Sequence, residues 1–437
     1  MNPVKRKIWR RIGWVPVLLC CAYAAAQASG TPAAGQDADT NETYQATTWF
    51  GDPFRGHWTF NGEVKASQEY DDNVFPATTL RLSDNVSDFS LRLSAGIKTK
   101  RLTFQAHYLP EYLLHVKYDQ SNSMSHQYSQ DLAYKWSART DLGWTASASR
   151  IESGASSPFL LVQFAPDNAA PVFFPEALQQ NTNILTTSST FTMTHRFSQR
   201  VTMKSAISGT WSRFSSFNST PLIPNLSTEA FQAGASVGWD YGVAHGKSVG
   251  LELKDSYAGF LNPNNHQHYQ AALVTYSQML PGRLFFTAGA GPSYSTVQAS
   301  TLGVATTSLS YALNVALSRT VKTYDVGISL DRGSQVGTVQ GSLINLSTAA
   351  NVSKTWRRRW NTGASFGYAR MQTIGAFTQT ESYATSGFGG YRWSSGLQTQ
   401  LRYSYVNQLS PALIGQSFDR NLYAFSVLYT FGERRER

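Results

Sequence analysis

The sequence is short of three things: cysteine, charge and long apolar runs. Its two cysteines, Cys20 and Cys21, are adjacent and both fall near the start of the chain. "MNPVKRKIWRRIGWVPVLLCCAYAAAQASG" opens with Lys5, Arg6, Lys7, Arg10 and Arg11, turns apolar from Ile12 to Ala26, and offers small residues at Ala26 and Ala28. This order is that of a secretory signal peptide, residues 1–28, whose apolar part is too short for a membrane span. A lipoprotein signal wants a small residue before its cysteine, and Leu19 and Cys20 stand there instead. With the leader removed no cysteine remains, which excludes a disulfide-held scaffold. Charged residues make up only 15% of the chain, and after the leader 32 basic residues face 27 acidic ones, a net charge of +5. Nucleic acid is therefore not expected as a partner. No run of 18 apolar residues follows the leader, which excludes a helical membrane span.

What is present is a mixture of aromatics with Ser, Thr, Asn, Gln and Gly, arranged with a period of two. In "WTFNGEVKASQEYDD", Trp58, Phe60, Val64 and Tyr70 lie on one face, and Thr59, Asn61, Glu63, Lys65, Ser67, Glu69 and Asp71 on the other. Phe89, Leu91, Leu93, Ala95 and Ile97 oppose Ser90, Arg92, Ser94 and Lys98 in the same way. Leu102, Phe104, Ala106 and Tyr108 oppose Thr103, Gln105 and His107. Such alternation predicts strands with one apolar face, and no stretch sustains a helical period. About eighteen strands are expected. They begin near Trp58, Ser87, Leu102, Met124, Thr140, Thr182, Arg200, Ser227, Gly246, His266, Gly282, Val304, Lys322, Gly341, Arg358, Thr378, Ser395 and Arg420. Tight turns ("TKR", "SART", "FSQ", "LPGR", "RTVK", "WRRR", "WSSG") alternate with longer connections, among them 154–181, 217–226 and 409–418.

Strict short–long alternation of this kind is the signature of an outer-membrane barrel, with short periplasmic turns and long outer loops. The expected fold is all-β: a single transmembrane antiparallel up-and-down barrel of about 16–18 strands over residues 58–431. A polar linker, 29–57, would precede it and a periplasmic tail, 432–437, would follow. Tryptophan agrees with this orientation. Nine remain after the leader, and Trp58, Trp136, Trp144, Trp239, Trp356, Trp360 and Trp393 cluster at the ends assigned to the periplasm, where amphipathic rings favour the interface. "WRRRW", 356–360, reads as a basic interfacial turn.

The last strand, "NLYAFSVLYTF", puts Tyr423, Phe425, Val427, Tyr429 and Phe431 toward lipid and Leu422, Ala424, Ser426, Leu428 and Thr430 inward. It must pair with the first strand, because no open backbone edge survives in hydrocarbon. "VLYTF" resembles the C-terminal signal by which barrels are recognised for assembly, which makes Tyr429 and Phe431 the candidate signal residues and the barrel-assembly machinery an expected partner. "GERRER" follows it as an overhang. A wider resemblance rests on "QEYDDNVF" (68–75), "SDFSLRLSAGIKTKRLTFQAHYLPEY" (87–112) and "YKWSARTDLGWTAS" (134–147). These segments are similar to the N-terminal half of the β-barrel porin 2 family of bacterial outer-membrane proteins. That resemblance implies an outer-membrane barrel, with polysaccharide-export systems as partners in some members, and it carries no catalytic residue.

The functional surface of such a barrel is its inward polar face. By parity this face includes Glu63, Lys65, Glu69, Asp71, Arg92, Lys98, His107, Glu111, His115, Lys117, Asp131, Lys135, Lys204, Glu252, Lys254, Asp325 and Arg402. Both signs are present with a modest basic excess, so a water-filled lumen with weak anion preference, or tolerance of neutral polar solutes, is expected. His107 and His115 would stand about 27 Å apart at about 3.4 Å per residue, too far to share a metal. His266 and His268 in "NHQH" lack a third ligand and read as a loop or lumen pair. Asp71 and Asp72 point to opposite sides beside an outer loop, where solvation is their simplest role. No cofactor, metal site or enzymatic activity is expected. The connection 155–180 is unusually apolar, and Phe159, Phe164, Phe173 and Phe174 are candidates for a segment that folds back to constrict the lumen. The expected function is porin-like passage of polar solutes or of an exopolysaccharide across an outer membrane, with outer-membrane lipid around it. A surface-adhesion or structural barrel with a plugged lumen is the alternative, and an outer-membrane hydrolase a more distant one.

Overall fold

The computed structural model describes residues 57–74, 81–152, 162–163, 172–173, 182–216, 227–261, 264–299, 305–321, 323–337, 341–357, 359–373, 379–394, 396–409 and 417–432. The leader 1–28, nearly all of the linker 29–57 and the tail beyond Gly432 lie outside them.

The chain is built from antiparallel strands: β1 (His57–Asp71), β2 (Asp84–Lys98), β3 (Leu102–His115), β4 (Ser123–Lys135), β5 (Thr140–Glu152), a small pair β6 (Val162–Gln163) and β7 (Val172–Phe173), β8 (Thr182–Arg196), β9 (Val201–Ser216), β10 (Ser227–Ala244) and β11 (Lys247–Leu261). There follow β12 (Asn264–Leu280), β13 (Leu284–Ala299), β14 (Ala305–Val321), β15 (Tyr324–Gly337), β16 (Gly341–Trp356), β17 (Trp360–Thr373), β18 (Gln379–Arg392), β19 (Leu397–Leu409) and β20 (Phe418–Phe431). Apart from β6 and β7, these form one 18-stranded sheet in which each strand pairs with its neighbours in the chain. β1 pairs with β2 on one side and with β20 on the other, from Gly62↔Phe431 to Asp71↔Leu422, so the ring closes and no strand of it is an edge.

The strand beginnings follow the sequence alternation closely. β2 starts earlier than expected, at Asp84, because Asp84–Val86 continue the ladder against Asp71–Glu69. The short–long alternation of connections is not strict: β11 and β12, at the rim of the longer connections, are joined through 262–263 alone.

Alternation decides which face meets what. Phe60, Val64 and Tyr70 of β1 are exposed at 50%, 45% and 43%, whereas Ser67, Glu69 and Asp71, of the opposite parity, are buried. The same parity runs round the ring: Phe89, Tyr108, Phe191, Ile207, Leu251, Ile328, Leu401 and Phe425 are exposed large apolar side chains on the outside. A soluble protein would hide this surface, and a barrel in lipid presents it. Two glycines serve the ladder by what they lack. A Cβ on Gly291 would stand 1.8 Å from the carbonyl oxygen of Ala272, where Pro292 interrupts the β12–β13 hydrogen bonds. Gly62 lies under the ring of Phe431, with a Cβ there only 2.0 Å from its Cζ.

Candidate functional site: the barrel lumen and its rim

The register places Glu63, Lys65 and Glu69 of β1 opposite Arg92, Ser90 and Val86 of β2, and His107, Glu111 and His115 of β3 opposite Ser94, Ser90 and Val86. All share the face turned away from the outward aromatics. Lys98 at the end of β2, Lys135 at the end of β4 and Arg402 of β19, opposite Ala424, have the same parity. Lys117 lies beyond β3, where alternation no longer applies. Its Nζ donates to the Ser83 carbonyl at 3.0 Å, and its backbone N–H donates to Asp84 at 3.0 Å.

These residues do not form one site. A mixed-charge cluster gathers on β1, β2, β3 and β19: Lys65 pairs with the buried Asp88, and Asp88, Lys65, Glu111 and Arg402 are the charged neighbours of the buried Glu69. Glu111 accepts a hydrogen bond from Ser125 at 3.2 Å, and Ser67 donates to Glu69 at 3.4 Å. Toward the shorter turns, His107 Nδ1 meets Ser94 Oγ at 2.8 Å. Toward the longer connections, His115 Nδ1 meets Asp84 at 3.1 Å with both side chains buried. Lys204 pairs with Asp240 at 2.7 Å on the far wall. Between the charges the inner wall is hydroxylated, with Ser147–Ser188, Ser248–Ser277 and Ser365–Ser386 contacts all at 2.6 Å.

One group that sequence inspection leaves to solvent is instead deeply engaged. Asp71 is almost inaccessible. It receives the Arg420 Nε at 3.0 and 2.9 Å on its two oxygens, a further bond from the Arg420 guanidinium, and the Asn73 N–H at 2.9 Å. Asp72 turns the other way and accepts from the backbone and side-chain nitrogens of Asn421 at 2.6 and 2.7 Å. Asn73 Nδ2 donates to the Asp419 carbonyl at 2.7 Å, and Arg81 pairs with the Asp419 carboxylate. "YDDN" and "FDRN" therefore lock the first strand to the last. Solvation fails as their role because ring closure brings the two segments together. The parity of Arg420 with Leu422 and Ala424 was the available signal, and its partner could be found only by pairing strands β1 and β20.

The histidines of "NHQH" are likewise not in the lumen. His266 Nδ1 meets Tyr257 Oη at 2.7 Å and His268 Nε2 meets Asp255 at 2.7 Å, both on the outward parity of β11 and β12. Sequence inspection for hydrolase motifs also passes over three G-x-S-x-G pentapeptides, at 234–238, 246–250 and 363–367. Each lies in or at the start of a strand, not on the strand-to-helix turn that raises a nucleophile, and Ser248 and Ser365 bond to serines. Among the described residues no group of three or more His, Cys, Asp or Glu side chains is placed to hold a metal ion.

Phe159, Phe164 and Phe174 lie outside the described residues, and for Phe173 only the backbone, in β7, is described. The small β6–β7 pair belongs to the connection between β5 and β8, yet β7 packs beside β16 and β17. In the ring, β8 is the sixth strand and β17 the fifteenth of 18, so β7 reaches the opposite wall.

The outward face carries a girdle at the rim of the shorter turns. Trp136, Trp239, Trp356, Trp360 and Trp393 are exposed there with Tyr241, Tyr324, Tyr429 and Phe431. Tyr429 and Phe431 stack at 6.5 Å, and Phe431 covers Gly62 across the closing seam.

The fold and faces thus define a closed, antiparallel 18-stranded barrel with an apolar exterior and a polar interior. No family model matches the chain, and no curated protein matches it. Solved structures similar to it include OccK2 (OpdF) of Pseudomonas aeruginosa, at 11% identity over 86% of this chain and 98% of that one, with a TM-score of 0.42. The outer membrane protein OpdK of the same organism is 12% identical over 85% and 99%, TM-score 0.39. The FrpB iron transporter of Neisseria meningitidis is 9% identical over 80% and 62%, TM-score 0.42.

Proposed function

We propose that the protein is a bacterial outer-membrane channel that passes polar solutes, or a polysaccharide chain, through the barrel lumen. The observation that carries this reading is the two-faced wall: large apolar side chains outside, and hydroxyls with charges of both signs inside, round a closed ring of 18 strands. Barrels of this size leave room for an aqueous path, and a hydroxylated wall suits neutral polar or sugar-like solutes. Glu63, Lys65, Glu69, Arg92, Lys98, His107, Glu111, His115, Lys135 and Arg402 line that path in this reading, and their mixed signs make selectivity weak. The resemblance of 68–75, 87–112 and 134–147 to the β-barrel porin 2 family bears on the barrel more than on any substrate, and polysaccharide passage would need periplasmic export partners. Tyr429 and Phe431 serve as the signal read by the assembly machinery.

The passage of β7 to the opposite wall supports a constricted lumen over a wide open one. The deciding experiment is single-channel conductance of the purified barrel in a planar bilayer in potassium chloride. Stable, weakly selective steps are expected. Electrical silence would overturn the channel reading and favour a barrel that works through its loops.

A further inference from the structure

The turn between β16 and β17 has no part in the channel reading. It lies in "KTWRRRW", residues 354–360. Lys354 shares the parity of Val352 and Trp356 and so projects outward, a cation on the lipid side of the wall. Its ammonium lies 3.4 Å from the ring centroid of Trp356 and 4.4 Å from that of Tyr324. Arg359 Nη1 donates to Tyr391 Oη at 3.3 Å, and Arg357 is exposed in the turn itself. Among the described residues, no carboxylate lies within ion-pair distance of these three cations.

Around them stands an aromatic shelf. Trp360 and Tyr391 meet edge to face at 4.8 Å, as do Tyr391 and Trp393. The indole N–H groups of Trp356 and Trp393 donate to Thr362 and Thr399 at 3.1 and 3.0 Å, so the protein already satisfies them. Amphipathic rings of this kind sit at headgroup depth. Cations at that depth without a protein carboxylate meet the one anion the layer supplies, the lipid phosphate.

We infer that Lys354, Arg357 and Arg359, with the Tyr324–Trp356 and Trp360–Tyr391 rings, form a binding site for the headgroup phosphate of an anionic phospholipid in the leaflet at the shorter turns. The site requires the barrel to span a membrane and is indifferent to whether the lumen conducts. Trp356, Trp360 and Trp393 report on it, over a background from Trp136 and Trp239 elsewhere in the girdle that the variants leave unchanged. The full barrel is reconstituted in phosphatidylcholine vesicles containing brominated phosphatidylglycerol or, for reference, brominated phosphatidylcholine, and tryptophan quenching is compared at equal mole fraction. A preference of about fivefold for the anionic lipid is expected, the worth of roughly one cation at a charged membrane surface. K354Q/R357Q/R359Q abolishes the preference, whereas K100Q/R101Q, at another short turn, keeps it. Should the triple variant fail to fold, K354Q alone reduces the preference while leaving the turn intact. Equal quenching by the two lipids in the wild type, or an unchanged preference in K354Q/R357Q/R359Q or in K354Q, overturns the site. Quenching by neither lipid overturns the membrane-spanning reading itself.

Discussion

Asp71 and Arg420 are 349 positions apart and their side chains are 1% and 3% exposed. A buried ion pair adds little net stability when complete, but removing one partner strands the other charge. R420M is therefore expected to destabilise the barrel by about 3–5 kcal/mol, read from the midpoint of urea unfolding in lipid vesicles. D71N/R420M, which removes both charges, should recover most of that loss. If the single and double variants unfold together, the pair is not what closes the rim. Alternation placed Asp71 on the polar face. It gave no hint that Arg420 would be its partner, because the contact crosses nearly the whole chain and exists only once β20 lies beside β1.

Among the elements, β20 and its seam with β1 explain why the chain's last strand is so aromatic on one side. Its alternate residues Tyr423, Phe425, Tyr429 and Phe431 are exposed on the outside, and Leu422, Ala424 and Ser426 are buried within. Phe431 occupies the space that a side chain at position 62 would need. G62V is expected to displace that ring and lower the folded fraction, scored by heat-modifiable electrophoretic mobility. Adding F431A to G62V frees the space and, on refolding into vesicles without the assembly machinery, should restore part of the fraction. If G62V alone folds as well as wild type, the seam does not depend on this packing. The connection from β5 to β8 is a second element with a testable role. Deleting 159–174 is expected to raise single-channel conductance, and unchanged conductance would remove the constriction role of that segment. Strand positions were legible because lipid outside and water inside impose a period of two on nearly every strand. The brevity of the β11–β12 connection was not, since loop length at the rim of the longer connections answers to local packing and not to the membrane.

For the molecule as a whole, in the proposed channel, charge distribution sets what can pass. Lys98, Lys135 and Arg392 face inward at the rim of the shorter turns, while Glu69, Asp71, Asp84 and Asp88 lie toward the other rim, where Lys65, His115 and Arg420 pair with three of them. A weak anion preference is expected in about 0.1 M potassium chloride, where the screening length is about 10 Å. It should vanish near 1 M, where that length falls to about 3 Å. Reversal potentials across salt gradients measure both, and a preference that survives high salt would point to a narrow, desolvated filter instead of a charged wall.

The sequence by itself determined the barrel: its alternation, its turns and its missing helical spans leave no other way to satisfy the backbone in lipid. Within the strands it also set which residues face inward, because parity is a local property of a strand, but that parity does not extend to Lys117 beyond the end of β3. Only the tertiary structure decided which inward charges meet. The Asp71–Arg420 clamp, the Lys65–Asp88 pair beside Glu69, and the reach of β7 to the opposite wall all depend on register and closure. Those are set by the ring as a whole, and no single strand encodes them.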